Sequence, residues 1–280
     1  MINFKEYFDK EITISGFAEK VRNLQWVQFI VLRNGTQRVQ ITIEKSVEEN
    51  KEMIDKVATL TNESTIKVTG ILKENDKVKM GGMEIIPSSI EITSLSAPEL
   101  PINITNKDAA LIDTRMDNRF LDLRNDVNFN IFKIQSEFVR AMRQYLYDND
   151  FTEIHTPKLI GAASESGSEV FEIKYFDTKA YLAQSPQFYK QMAMASGFGK
   201  VFEVAPCFRA ENSNTNRHAT EFTSFDIEFS YINSYEDVMD LEEELIVAGL
   251  KCVKEKYGDL IKKLYGVDVV VPTRPFPRIK

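Results

Sequence analysis

Arg209 and Glu211 stand two apart at the end of an apolar run, and Arg217 and His218 stand side by side shortly after. Between them runs ENSNTN, a polar loop with almost nothing to pack. Residues two apart on a strand share a face, so Arg209 and Glu211 are expected on one surface. On the returning stretch TEFTSFDIEF the same rule groups Phe222, Ser224, Asp226 and Glu228. Phe225, Ile227 and Phe229 take the other face, the core side. If the two strands pair through the loop, one surface carries an arginine, acids and an aromatic ring. Arginine grips a phosphate with two parallel hydrogen bonds, and a ring such as Phe222 stacks on a base. That surface suits a nucleotide, with Arg217 and His218 in reach of its outer phosphates. An Arg-x-Glu pair on a sheet face is more often a cross-strand ion pair than a ligand site, so this stretch alone does not establish a nucleotide site.

A second group of residues shifts the balance. In SPQFYKQ, Ser185 reads as a helix N-cap, with Pro186 at the first helical position. Gln187 and Lys190, three apart, then share a face in the first turn. A lysine beside exposed helix N–H groups suits a small anion. Upstream, GAASESGSEVF is small and polar and reads as a flap carrying Glu165, a partner for an ammonium group. Together these stretches supply partners for an amino acid with an acidic side chain, next to partners for a nucleotide. No G-x-x-x-x-G-K-[ST] or G-x-G-x-x-G occurs, so a Walker or Rossmann site is unsupported.

The 280 residues suggest two domains of ordinary size, with 43% hydrophobic residues for a core and 28% charged. The two cysteines, Cys207 and Cys252, form no C-x-x-C pair, so neither a disulfide framework nor a zinc site is expected. The first residues, MINFKEYFDKEI, carry no apolar h-region, and no run of 18 apolar residues occurs. No secretory signal or membrane span is expected, and a reducing cytoplasm is the default. The net charge of −7 argues against a broad nucleic-acid surface, yet a local basic groove acts on an acidic protein.

The elements that must position these residues follow from periodicity. EITISGFAEKV, the two arms of WVQFIVLRNGTQRVQITIEK, STIKVTGILKEN and VKMGGMEIIPSSIEITSLS read as five strands. Asn34-Gly35 marks a hairpin, and SVEENKEMIDKVATL reads as a helix in the middle. That order is the one of an OB-fold barrel; another small β-domain fits the periodicity as well. SAPELPINI, with two prolines and few periodic apolar residues, reads as a linker. A helix is expected over 127–150, with Ile131, Ile134, Phe138, Met142 and Tyr145 on its apolar face. FTEIHTPKLI reads as a strand interrupted at Pro157. Further strands, the helix at SPQFYKQMAMAS and a helix from Ser234 follow, giving an α+β domain around an antiparallel sheet.

FRAENSNTNRHATEFTSFDIE resembles motif 2 of the class II aminoacyl-tRNA synthetases. With YLAQSPQFYKQMAMASGF before it, the chain is most similar to the aspartyl-tRNA synthetases of the archaeal and eukaryotic kind, and FTEIHTPKLI resembles motif 1. The resemblance covers essentially the whole chain. It implies an OB-fold anticodon-binding domain over 1–96, a hinge over 97–126 and a class II catalytic domain over 127–280. It implies that Arg209 binds the α-phosphate of ATP and the aspartate carboxylate, that Glu211 contacts the adenine side, and that Phe222 stacks on the adenine. Arg217, His218 and the Ala219 backbone would line the loop near the phosphates. Ser164 and Glu165 would close over the amino acid. Gln187 and Lys190 would read it, Lys190 through its side-chain carboxylate, and Asp226 would hold the α-ammonium group. In the barrel, Phe29 would stack on an anticodon base, Gln40 would read uracil and Glu84 would add a contact. Arg22, Arg33 and Arg38 would meet phosphates, and Pro157 would lie in a homodimer interface. ATP, Mg²⁺, L-aspartate and tRNA are the implied ligands. The family's motif 3, with its second ATP-binding arginine and Mg²⁺-holding acids, has no counterpart before VPTRPFPRIK, so the chain is expected to be an N-terminal piece unable to complete adenylate chemistry alone. Two other readings stand beside this one: an asparaginyl-tRNA synthetase, and a non-catalytic RNA-binding protein using only the barrel.

Overall fold

Alternation of apolar residues builds the first strands. β1 (Glu11–Asn23), β2 (Val27–Asn34), β3 (Gln37–Glu44), β4 (Thr65–Glu74) and β5 (Met83–Ser94) are hydrogen-bonded in the closed order β1-β2-β3-β5-β4 in the computed structural model. Ile30, Leu32, Val39, Ile41, Ile43, Ile66, Val68 and Leu72 point inward and are fully buried. With α1 (Lys51–Ala58) between β3 and β4, this is the expected OB-fold barrel. The structure describes residues 2–106, 110–164, 169–212, 215 and 218–279. Within it the chain divides into two units, Met1–Phe129 and Asn130–Lys280.

Closing so few strands forces close backbone approach. A Cβ at Gly16 would lie 2.3 Å from the Arg33 carbonyl oxygen, and one at Gly70 2.3 Å from that of Ile86. Only glycine fits there. The β2–β3 hairpin turns one residue later than the Asn34-Gly35 signal suggests. Asn34 still pairs with Gln37, so Gly35 (φ 58°) and Thr36 form the loop. The Asn34 side chain instead donates to the Ser15 carbonyl at 2.8 Å.

The stretch after the barrel, expected as a linker and hinge, belongs to the first unit and has a small core of its own. Ile102 and Ile104 are buried with Leu121, which lies on α3 (Arg119–Asp122), just after α2 (Ile112–Asp117). Arg124 ties this stretch to the barrel. Its guanidinium lies 3.9 Å from the centre of the Phe17 ring and 2.9 Å from the Glu63 carboxylate. Arg33, buried, meets the same carboxylate at 2.5 Å and Glu19 at 2.9 Å. Arg38 pairs with Glu19 and Asp126, each at 2.9 Å. Of the three arginines expected on phosphates, Arg33 is therefore an internal partner and Arg38 is engaged, while Arg22 stays exposed. A buried acid such as Glu63 needs paired cations, and that need draws Arg33 inward.

The second unit is α+β. α4 (Asp126–Asp148) sends Phe138, Met142, Tyr145 and Leu146 into a core shared with Phe202 and Leu245. Ile131, at the other end of the same stripe, is 49% exposed, against expectation; the stripe outruns the core. FTEIHTPKLI is not one interrupted strand. It gives β6 (Thr152–Glu153) and β7 (Leu159–Ile160), which join different sheets, with Pro157 exposed between them. β7 pairs with β9 (Thr178–Leu182), which pairs with β8 (Glu172–Tyr175). α5 (Gln187–Ala195) leads to β10 (Lys200–Phe208) and β11 (Glu221–Phe229), in the sheet order β11-β10-β6. β6 runs parallel to β10, so this sheet is mixed where an antiparallel one was expected. α6 (Tyr235–Tyr265) opens on a capping box made by Ser234 and Asp237 and stops at Gly266 (φ 72°).

Two glycines of α6 make the same substitution act in opposite directions. A Cβ at Gly249 would meet the Phe138 ring at 2.6 and 2.8 Å, whereas one at Gly258 meets nothing nearer than Lys254 Cγ at 3.8 Å. Gly249→Ala is expected to destabilise by about 1–3 kcal/mol through overpacking. Gly258→Ala is expected to stabilise by about 0.5–1 kcal/mol, the ordinary gain of alanine over glycine in a helix. Urea unfolding followed by circular dichroism reads both signs.

Candidate active site and nucleic-acid face

β10 and β11 pair antiparallel without a register shift from Lys200↔Phe229 to Phe208↔Glu221. Directly opposed residues share a face, so Cys207, Ala205, Glu203 and Val201 stand with Phe222, Ser224, Asp226 and Glu228. Phe225, Ile227 and Phe229 go to the core with Phe202, as their alternation predicts. The strand ends at Phe208, one residue before the Arg-x-Glu pair. Arg209 still donates its backbone N–H to Thr220 at 3.0 Å, and Ala210 donates to the Glu169 carbonyl at 3.0 Å. Glu211 therefore lies beyond the ladder, and the strand rule does not fix its face.

The Arg209 guanidinium lies 5.3 Å from the centre of the Phe222 ring, a cation–π contact. Its Nε is buried with no hydrogen-bond partner among the described residues. A charged donor so placed calls for an acceptor. The Ser164 hydroxyl oxygen is likewise buried and without a partner among the described residues, while the Ser164 N–H donates to Gln184 Oε1 at 3.1 Å. Glu165 and Arg217 lie outside the described residues. His218 is exposed, with Nδ1 2.6 Å from the Thr215 hydroxyl, and Ala219 is exposed beside it.

α5 starts one residue later than its sequence signal. Pro186 (ψ 17°) is the N-cap and Gln187 the first helical residue, because Pro186 departs from helical geometry. Ser185 Oγ still accepts from the Gln187 N–H, at 3.3 Å. One turn on, Lys190 reaches the β11 face: its Nζ lies 3.3 Å from Asp226 and 3.4 Å from Glu228. The helix thus delivers a largely buried ammonium between two carboxylates. Cys207 on the same face is buried; burial, then the Asp226 charge, push its thiol up from the ordinary value, away from the thiolate form.

Sequence reasoning missed Glu203, which sits opposite Asp226. Like charges so opposed repel, and each acid has its own lysine. Glu203 is buried and accepts from the Thr156 N–H at 2.7 Å, the Thr156 hydroxyl at 2.8 Å and Lys158 Nζ at 2.9 Å. It fastens the residues flanking Pro157 to the floor of the site. The signal was its parity with Cys207 and Ala205 on an otherwise apolar strand. Buried Gln184 was also missed, and no spacing rule points to it.

In the barrel, the parallel β3–β5 ladder pairs Gln40 with Glu84. The Glu84 carboxylate accepts from Asn75 Nδ2 at 2.5 Å, from Gln40 Nε2 at 3.4 Å and from the Thr42 hydroxyl. Phe29 stands opposite both Thr42 and Arg22. The three residues expected at the anticodon therefore share one outer face, to which Thr42 and Arg22 also belong.

A family model described as tRNA synthetases class II (D, K and N) matches residues 111–280. The chain belongs to the class II tRNA synthetases. A model of the OB-fold nucleic acid binding domain matches residues 12–93 of this synthetase chain, the span of the barrel. The aspartate–tRNA(Asp) ligase of Picrophilus torridus is 43% identical over 269 residues, 96% of this chain and 62% of the relative. The aspartate–tRNA(Asp/Asn) ligase of Methanopyrus kandleri is 45% identical over 272 residues, again 96% and 62%. Among solved structures, the aspartyl-tRNA synthetase of Entamoeba histolytica is similar with a TM-score of 0.81 at 34% identity, covering 99% of this chain and 60% of that one. The asparaginyl-tRNA synthetase of Pyrococcus horikoshii in complex with asparaginyl-adenylate gives a TM-score of 0.84 at 31% identity, covering 92% and 58%. The synthetase chain thus spans about 62% of the length of the curated relatives it matches.

Breaking the Glu203 pairing tests the floor of the site. Glu203→Ala leaves a largely buried lysine and a backbone N–H unpaired and is expected to cost about 3–5 kcal/mol. Glu221→Ala, an exposed change on the neighbouring strand, is expected within about 0.5 kcal/mol of wild type. Equal urea midpoints for the two variants would remove Glu203 from the framework.

Proposed function

We propose that this chain carries the substrate-binding and tRNA-reading parts of an aspartate–tRNA ligase, with 1–96 as the anticodon-binding domain, 97–126 as hinge and 127–280 as catalytic part. The observation that carries the substrate is Lys190, held between Asp226 and Glu228. An incoming aspartate brings both an ammonium group for Asp226 and a side-chain carboxylate for Lys190, so it satisfies charges already present. A neutral amide leaves the lysine without its anionic partner. The curated relatives named above, aspartate–tRNA ligases, support the same reading.

ATP lies with its adenine on Phe222 and Glu211 and its α-phosphate on Arg209, whose buried Nε lacks a partner among the described residues. Arg217, His218 and Ala219 line the loop above the outer phosphates. Ser164 and Glu165 close over the amino acid beside Gln187. The aspartate α-carboxylate attacks the α-phosphorus, forming an acyl–phosphate bond as the bond to pyrophosphate breaks. The terminal ribose hydroxyl of tRNA then takes the aspartyl group and releases AMP. Arg209 aligns nucleophile and phosphate and balances the charge that develops. Mg²⁺ supplies charge neutralisation on the phosphates; among the described residues no group of three or more His, Cys, Asp or Glu side chains gathers to hold a metal.

The outer barrel face reads the anticodon, with Phe29 stacking on a base and Gln40 and Glu84 meeting base edges. The partners are the aspartate tRNA and a second copy of the chain. Exposed Pro157, with Ile131 and Phe132 of α4 half exposed, supports the homodimer interface. The cytoplasm is the proposed compartment; among the described residues no helix is long and apolar enough to cross a membrane.

Calorimetric titration with L-aspartate and L-asparagine tests the substrate. Aspartate is expected to bind at least about tenfold tighter, as a paired charge worth 1.4 kcal/mol or more would give. Lys190→Met is expected to erase that preference. Equal or tighter binding of asparagine by the unaltered chain would favour the asparaginyl reading instead.

A further inference from the structure

Gln184 is fully buried, in the short stretch that leaves β9 and enters α5. Burying an amide costs free energy unless its polar atoms are bonded. A methionine or leucine would fill the same space without that cost. The Gln184 Oε1 accepts the Ser164 N–H at 3.1 Å, across twenty residues of sequence. That bond fixes the backbone at Ser164, whose hydroxyl oxygen is buried with no partner among the described residues. A polar group held in place and left unpaired is a partner kept for a ligand.

The backbone on either side shows what else meets at Gln184. Ala183 beside it is buried; its N–H donates to the Lys158 carbonyl at 2.9 Å, and its carbonyl accepts the Phe208 N–H at 3.0 Å. The Leu182 N–H donates to the Phe171 carbonyl at 3.0 Å. Lys158 leads into β7, and Phe208 is the last residue of β10, directly before Arg209. After Gln184, Ser185 Oγ accepts the Gln187 N–H at 3.3 Å, and α5 brings Lys190 to Asp226 and Glu228. Residues 182–184 are therefore the post to which the stretches carrying Ser164, Arg209, Gln187 and Lys190 are tied. The backbone bonds form with any side chain at position 184. Only the tie to Ser164 runs through the amide.

We propose that Gln184 is a positioning residue for the amino-acid substrate: its amide oxygen holds the Ser164 backbone so that the Ser164 hydroxyl meets the bound aspartate. This rests on the reading of the second unit as an aspartate site. Gln184 acts through Ser164. It spares the substrate the entropy of ordering that residue, so it bears on the binding of the amino acid and leaves that of ATP alone.

A double-mutant cycle read by calorimetric titration tests this on the whole chain. Gln184→Met keeps the volume and removes the acceptor. It is expected to weaken L-aspartate binding about 5- to 150-fold, the effect of a stranded hydrogen-bonding group, with the affinity for ATP unchanged. Ser164→Ala is expected to lose a similar factor. In the double variant the two losses are expected not to combine, because either change breaks the same chain of contacts. Loss of ATP affinity in step with aspartate affinity, or losses that multiply in full, makes Gln184 a packing residue and overturns the proposal while the aspartate reading stands. Undiminished aspartate affinity in Ser164→Ala overturns it likewise, whether or not Gln184→Met folds. Absence of aspartate binding by the unaltered chain overturns both.

Discussion

The register between β10 and β11 is the constraint on which the candidate site depends. Side chains alternate with a period of two, so a slip of one residue exchanges the faces of the whole strand. In the observed register Phe225, Ile227 and Phe229 reach the core and Asp226 and Glu228 reach Lys190. A slip would bury both acids among Phe202, Leu146 and Leu245 and expose three large apolar side chains. The apolar side of the strand fixes the register, and the polar side receives its geometry from it. Arg209 inherits its place beside Phe222 from the same ladder, through the bond to Thr220.

Charge follows a second pattern in both units: Glu203, Asp226 and Glu63 are each matched by a cation. Glu203 has Lys158, and Asp226 has Lys190, although the two acids are directly opposed. The two lysines are not equivalent. Lys158 is committed, together with Thr156, to one buried carboxylate. Lys190 divides itself between two partly exposed ones at longer distance, and so remains open to exchange partners. In the first unit Glu63 takes both Arg33 and Arg124, and the chain beyond the barrel is held down by that choice.

Much of this was legible in the sequence because it rests on periodicity. The five strands, the core side of β11, the stripe on α4 from Phe138 onward and the cap of α6 at Ser234 follow from spacing alone. What failed was local chemistry set by distant partners. The hairpin turned at Gly35-Thr36, with the Asn34 side chain bonded to the Ser15 carbonyl. FTEIHTPKLI divided between two sheets, since the tertiary fold supplied a partner strand on each side of Pro157. Arg33 looked like a surface cation until Glu63, thirty residues away, drew it inward. Glu203 was overlooked because its neighbours on the strand are apolar; its parity with Cys207 and Ala205 was the available signal, and the pairing with Asp226 gives it a place in the site.

The inward turn of Arg33 and the engagement of Arg38 have a thermodynamic corollary. Binding of a polyanion is driven in large part by release of the counterions condensed on it, in proportion to the phosphates that cations neutralise. Cations already committed to Glu19, Glu63 and Asp126 neutralise no phosphate. In the proposed reading the barrel, with Arg22 as the exposed cation opposite Phe29, would therefore displace few ions. Its hold on a nucleic acid would then come chiefly from ring and base-edge contacts, which ionic strength barely touches.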